Sequence, residues 1–260
     1  MTHAPYYFCH GIPGSPMDAK ALWPGPERIQ TPNFLDAGEI AGPEAWIAQF
    51  DRFVTADAPV HLIGFSIGAM MALHIAAARP EKVGQITLIS AAAPLQLGDF
   101  LRHMAGAPVF KLAQKQGPGL GLLTKAQGSM LRYTPEFLLR QLFAKSGVAE
   151  KDWTAQPDAR RLLLAALRAA YHDHPNAYKA LLRHYVSDWT GVLEEVKAPV
   201  TLWHGDRDTW APIAMAEALR SALPHEAEIQ RVHGGGHYST LQTACETLSA
   251  PLFNLSLQTG

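Results

Sequence analysis

With 260 residues, 48% of them hydrophobic and 17% charged, the chain has apolar material for one large α/β domain, or for a core domain with an insertion, and its composition argues against disorder. A formal net charge of −1 argues against a nucleic-acid binder on bulk electrostatics. Two distant cysteines, Cys9 and Cys245, read as free buried thiols; with no secretory leader ahead of Tyr6 and no run long enough to cross a bilayer, a cytoplasmic protein without a membrane partner is expected.

APYYFC, from Ala4 to Cys9, reads as a buried strand entering the glycine-rich loop HGIPGS. ERIQTPNF (27–34) is a weaker strand, and GPEAWIAQFDRFVTA (42–56) is a helix with Pro43 near its start. APVHLIGF (58–65) is a strand, Ile67 to Arg79 a helix stopped before Pro80, and VGQITLIS (83–90) a further strand. After a long interruption come the strand APVTLWHGD (198–206), the helix APIAMAEALRSAL (211–223), the strand EAEIQRVHG (226–234) and a closing helix YSTLQTACETLSAPLFNL (238–255). Strands alternating with helices imply an α/β protein whose mainly parallel sheet is covered on both faces.

The interruption runs from about Pro94 to Thr190. It lacks clear strands and carries three helical runs, PEFLLRQLFAK (135–145), PDARRLLLAALRAAYH (157–172) and PNAYKALLRHYV (175–186), behind the glycine-rich KQGPGLGLLTKAQGS (115–129). This pattern divides the chain into a core of residues 1–93 and 191–260 and a helical insertion of residues 94–190. The insertion holds thirteen Lys and Arg against seven Asp and Glu, a net of +6, which leaves the core with nine against sixteen, a net of −7. Complementary docking of a solvated helical surface explains this division; a basic lid that attracts anionic substrates is the alternative.

One serine stands between two glycines, Gly64-Phe65-Ser66-Ile67-Gly68, where a strand gives way to a helix. The glycines remove side chains where a sharp turn would crowd strand against helix, so Ser66 sits at a strained apex with its hydroxyl exposed. The following helix N-terminus brings the Ile67 amide close to any anion formed there. A serine nucleophile needs a base. His237 follows three glycines after the last predicted strand, in HGGGHYS, where a loop can bring an imidazole to the sheet's carboxyl end; His233, at the strand's end, is the weaker candidate. The base needs a carboxylate to fix its tautomer. HGDRDTWAP offers Asp206, suited to bonding local amides of its turn, and Asp208, further out before the next helix; spacing alone does not choose between them.

Taken together these motifs resemble the α/β-hydrolase superfamily, in its group of serine hydrolases with a helical cap, over nearly the whole chain. The order Ser66, Asp208, His237 matches the family's nucleophile, acid and base, and the resemblance favours Asp208 as the acid. HGIPGS matches the family's H-G-x-P-G loop, which implies an oxyanion hole from the amides of Ile12 and Ile67 and a loop-bracing role for His10. The family begins with two strands for which nine residues before His10 leave no room, so a six-stranded sheet is expected, with ERIQTPNF at an open edge and a monomer or homodimer as the assembly.

The implied activity is hydrolysis of a small or medium carboxylic ester through an acyl-enzyme, with no cofactor and no metal. The clusters YHDH (171–174) and HGGGH (233–237) are not read as metal sites. Ile12, Ile67, Phe65, Trp210 and Tyr238 flank the catalytic residues, which suggests an apolar substrate pocket. Carbon–carbon bond hydrolases and thioesterases share such a triad and remain open, as do an acyltransferase and a small-molecule receptor on the same fold. Ser66 argues against the related dehalogenases and epoxide hydrolases, whose nucleophile is an aspartate. Ile12 and the basic insertion argue against an aminopeptidase.

Overall fold

The computed structural model describes residues 6–20, 29–40, 42–54 and 58–256. Ala4 and Pro5 of the first predicted strand, Glu27 and Arg28 of the second, and Thr55 and Ala56 at the end of the first long helix lie outside the described residues. The core contains β1 (Tyr6–Cys9), α1 (Met17–Lys20), β2 (Ile29–Gln30), α2 (Pro43–Phe53), β3 (Val60–Phe65), α3 (Gly68–Ala78) and β4 (Val83–Ile89). Residues 94–190 contain α4 (Ala107–Gln114), α5 (Gly119–Tyr133), α6 (Pro135–Leu142), α7 (Val148–Ala155), α8 (Pro157–Arg168) and α9 (Pro175–Val186). The core resumes with β5 (Val200–Gly205), α10 (Ala214–Ala222), β6 (Glu228–Val232) and α11 (His237–Ser256).

Among the described residues one six-stranded sheet forms, in the order β2-β1-β3-β4-β5-β6, and each neighbouring pair is parallel. The register decides where function can sit. Cys9 lies opposite Gly64, Phe65 opposite Ile89, Ile89 opposite Trp203, and Gly205 opposite Val232, so the five longer strands end at nearly one level. The HGIPGS loop, Ser66, both aspartates and His237 all leave the sheet at that carboxyl edge, where an open α/β sheet binds its ligands.

β3 and α3 form the hub. Leu62, Ile63 and Phe65 are fully buried, and α3 buries Ala69, Met70, Met71, Ala72, Leu73 and Ile75, so it lacks the polar face of a surface helix. α2 presents only Trp46 and Phe50 inward and is ordinarily amphipathic. No strand of the sheet comes from residues 94–190, and that segment is tied to the core partly by the Tyr185 hydroxyl donating to Ala93 O at 3.1 Å.

One expectation needed correction, and three helices lie where no element was assigned. Among the described residues ERIQTPNF pairs only at Ile29–Gln30, and it lies at the sheet edge as expected. Pro32 has no amide to give a ladder, and Phe34 starts a tight helical turn whose amide is donated to His10 Nε2 at 3.0 Å instead. The glycine-rich KQGPGLGLLTKAQGS is mostly helix, because α5 begins at Gly119. Its buried Leu120, Thr124 and Gly128 recur every four residues, and a Cβ at Gly128 would meet His172 at 3.3 Å, so close packing there outweighs glycine's helix cost of about 1 kcal/mol. The helices α4 and α7 were also not anticipated.

Burial lowers three core histidines to about 4: His10, His61, which meets Thr87 Oγ1 at 2.8 Å, and His74, additionally lowered by the charge of His184. Their folded values lie below the ordinary one, so neutral rings contribute full stability above pH 6.5 and that contribution is lost as pH falls from there towards 4. Each unit corresponds to about 1.4 kcal/mol. The Asp18 carboxyl, raised to about 8 by burial, works in the opposite sense, one group against three. Urea unfolding at pH 7, 5.5 and 4 should therefore show stability falling by several kcal/mol, and a flat profile would contradict this assignment.

Candidate active site

Ser66 terminates β3 with φ +56°, a left-handed conformation that a serine adopts only under constraint. Its amide donates to Ile89 O at 3.0 Å and its carbonyl accepts from the Ala92 amide at 3.1 Å, so β4 and the loop after it hold the turn. A Cβ at Gly68 would lie 2.1 Å from Cys9 O, and one at Gly64 would lie 2.8 Å from Ala69 Cα. Only glycine at both positions lets α3 start this close to the sheet. Among the described residues no hydrogen bond occupies the Ser66 hydroxyl; in unliganded sites the nucleophile–base bond often tightens only with substrate.

The two candidate acids have separate partners. Asp208 Oδ2 accepts from His237 Nδ1 at 2.8 Å, and its Oδ1 accepts from the amides of Trp210 and Ala211 at 2.8 and 3.0 Å. Burial would raise the Asp208 carboxyl, but the charge and hydrogen bond of His237, helped by His204 and the Ala211 amide, outweigh it and hold the group below its ordinary value. With Nδ1–H donated to Asp208, Nε2 of His237 is left as the basic nitrogen. Asp206 instead accepts from the Gly234 amide at 2.9 Å and meets His233 Nδ1 at 3.3 Å, so it ties its loop to the one after β6 and does not organise its own turn.

Three supporting residues were not identified from the sequence. Ser90, with φ +46°, donates its hydroxyl to His237 O at 3.1 Å. His204 Nε2 donates to Ala211 O at 2.7 Å and lies 3.9 Å from Asp208 Oδ2. Glu150 of α7 accepts from the Tyr238 and Ser239 amides at 2.9 and 3.0 Å. Ser90 and His204 sit at the ends of predicted strands, the one available signal; Glu150 falls between the predicted helical runs, with no motif to mark it.

Ile12 and Ile67 flank the serine, both buried, and neither backbone amide donates to another group among the described residues. His10 braces the loop carrying Ile12: Nδ1 donates to Gly11 O at 2.8 Å while Nε2 accepts from the Phe34 amide. Asp18 supports the same loop by accepting from the Ser15 amide at 3.3 Å.

A family model of the alpha/beta hydrolase fold matches residues 44–243. The chain belongs to the α/β hydrolase family. This hydrolase is 28% identical over 220 residues to a pimeloyl-[acyl-carrier protein] methyl ester esterase of Aromatoleum aromaticum, covering 81% of this chain and 80% of that protein. It is 30% identical over 168 residues to the esterase of the same name from Methylococcus capsulatus, covering 62% and 57%. A thermophilic esterase from Thermogutta terrifontis superposes with a TM-score of 0.66 at 15% identity, over 99% of this chain and 90% of that one, which bears on the fold alone.

Two adjoining cavities open beside Ser66 in this hydrolase. One of about 50 Å³ is lined by Ser66, His237, Phe65, Tyr238 and Trp210, so the three residues expected to form the pocket do meet the serine and histidine there. The other, of about 190 Å³, is lined by Ser66, Ile12, Ile67 and Trp210 and extends among insertion side chains such as Phe110, Leu123 and Leu182. No helix among the described residues is long and apolar enough to cross a membrane.

The carboxylate pairing gives a discriminating test. Asp208→Asn should lower kcat by about 10³–10⁴ with the fold intact, through loss of the correct His237 tautomer. Asp206→Asn should leave kcat within a few-fold. Equal losses in both variants, measured on folded protein, would contradict the separate roles.

Proposed function

We propose that Ser66, His237 and Asp208 carry out the ester hydrolysis of this α/β hydrolase as nucleophile, general base and orienting acid. The 2.8 Å His237–Asp208 bond beside a strained serine on one cavity wall is the observation that carries this reading. His237 Nε2 takes the Ser66 proton as Oγ attacks the ester carbonyl. The free amides of Ile12 and Ile67 donate to the resulting oxyanion, each such donor contributing about 3–4 kcal/mol in comparable sites. Collapse breaks the acyl–alcohol bond, and the imidazolium returns its proton to the departing alcohol. Water, deprotonated by the same histidine, then releases the acid and restores Ser66.

Residues 94–190 serve in this reading as a helical cap. Side chains from α4, α5, α8 and α9 join the core residues around the 190 Å³ cavity, which suits an apolar acyl group of small or medium size. The buried free thiols Cys9 and Cys245 fit a reducing, cytoplasmic setting for a monomer or homodimer. The decisive experiment measures hydrolysis of p-nitrophenyl esters of increasing acyl length. Multiple turnovers in the wild type that vanish in Ser66→Ala support the reading, and the preferred length sizes the cavity. Equal low rates in both would overturn the ester reading and favour carbon–carbon or thioester substrates.

A more specific substrate is suggested by the relatives' activity together with the net charge of +6 on the insertion. An open groove of about 610 Å³ there, apart from Ser66, is lined by Arg140, Lys151 and Arg160, together with Glu136, which pairs with Arg160. An ester presented by an acidic acyl carrier would meet opposite charge on the cap while its acyl chain reaches the cavity. On this view kcat/KM for an anionic or carrier-bound ester falls with added salt while that for a neutral ester does not. An equal salt response would sink the electrostatic part.

A further inference from the structure

We propose that Glu150, on α7 of the insertion, is the positioning residue for the base, holding the first turn of the helix that begins with His237; this rests on reading His237 as the base. Glu150 is 1% exposed. Its Oε1 accepts from the Tyr238 amide at 2.9 Å, and its Oε2 accepts from the Ser239 amide and from the Ser239 hydroxyl, both at 3.0 Å. That hydroxyl in turn accepts from the Gly236 amide at 2.8 Å. The first amides of a helix have no intrahelical acceptor and are ordinarily capped by a nearby side chain. Here the acceptor for two of them comes from a residue 88 and 89 positions earlier in the chain.

The local sequence requires that arrangement. The residue before His237 is Gly236, which has no side chain to cap with, and a Cβ there would lie 2.7 Å from Glu150 Cβ. Trp153, one turn further along α7, stacks on Tyr238 with ring centroids 5.0 Å apart and planes 8° from parallel. His237 is thus held three ways: at the ring by Asp208, at the carbonyl by Ser90, and through the next two amides by Glu150. Asp208 fixes the ring, but a backbone that slides along the helix axis would still carry Nε2 away from Ser66. Displacements of about 1 Å in a catalytic group can cost about 10²-fold in rate. The insertion therefore completes the catalytic centre as well as covering it, and a movement of α7 loosens the base.

The test compares Glu150→Ala, Glu150→Gln and Ser239→Ala with Leu181→Ala, a buried change in α9 as a control for general loosening of the insertion. Kinetics are read on a p-nitrophenyl ester well below each Tm, alongside amide exchange at Tyr238 and Ser239. The expected result is kcat down by about 10–100-fold in Glu150→Ala with KM within about twofold, and faster exchange at both amides. Glu150→Gln, which keeps one acceptor, should fall between that variant and wild type. Leu181→Ala should lower Tm without lowering kcat. Loss of stability in Glu150→Ala with unchanged kcat, or an equal kcat loss in Leu181→Ala, would overturn the proposal. If Glu150→Ala does not fold, Ser239→Ala decides, with a several-fold kcat loss expected and none overturning. If Ser66→Ala keeps wild-type activity, it is the base reading that fails; exchange then judges the clamp alone, and unchanged protection would overturn it.

Discussion

A non-glycine residue at φ +56° survives only where its surroundings leave the chain no alternative, and at Ser66 they do. β3 is central and buried, and α3 has almost no polar face, so both elements must pack and the link between them must be tight. Gly68 fits against the carbonyls of Cys9 and His10, and Gly64 against the backbone of Ala69. The resulting turn lifts one hydroxyl off the sheet's carboxyl edge and leaves the Ile67 amide unbonded. The proposed nucleophile and oxyanion donor both follow from packing two apolar elements end to end.

The proposed base, His237, is held in a different way. Backbone contacts from β4, the loop after it and the end of β1 constrain Ser66 and its turn, whereas side chains from three places hold His237: the loop after β5, the end of β4, and α7. Parallel register makes this possible, because strands that end at one level deliver their loops to one spot. Electrostatics divides the labour. Asp208 stays ionised in a buried site because His237 and two amides surround it. Asp206, in a similar stretch of sequence, spends its carboxylate on joining two loops.

The core was legible from periodicity and glycine placement, and the candidate site from short motifs whose geometry is local. The glycines of the Gly64–Gly68 turn and of HGIPGS mark positions where a side chain would not fit, so the sequence displays those constraints directly. The roles of Ser90 and Glu150 were not legible because their partners lie 147 and 88 residues away, and a strand end alone marks the place of Ser90 but not its partner. The helix α5 was obscured by its glycines, of which Gly128 packs against the turn at Tyr171–His172 and Gly119 against Leu112. Resemblance to the hydrolase family chose Asp208 over Asp206 where spacing could not; Asp208 is the one of the two that bonds His237, at 2.8 Å.

The central claim is that the turn serine is a nucleophile activated by His237. Its most direct test is labelling with a fluorophosphonate, followed by mass mapping of the modified peptide. The account predicts one equivalent of label, on Ser66, forming far more slowly in His237→Ala. Label on another residue, or an unchanged rate in His237→Ala, would contradict it.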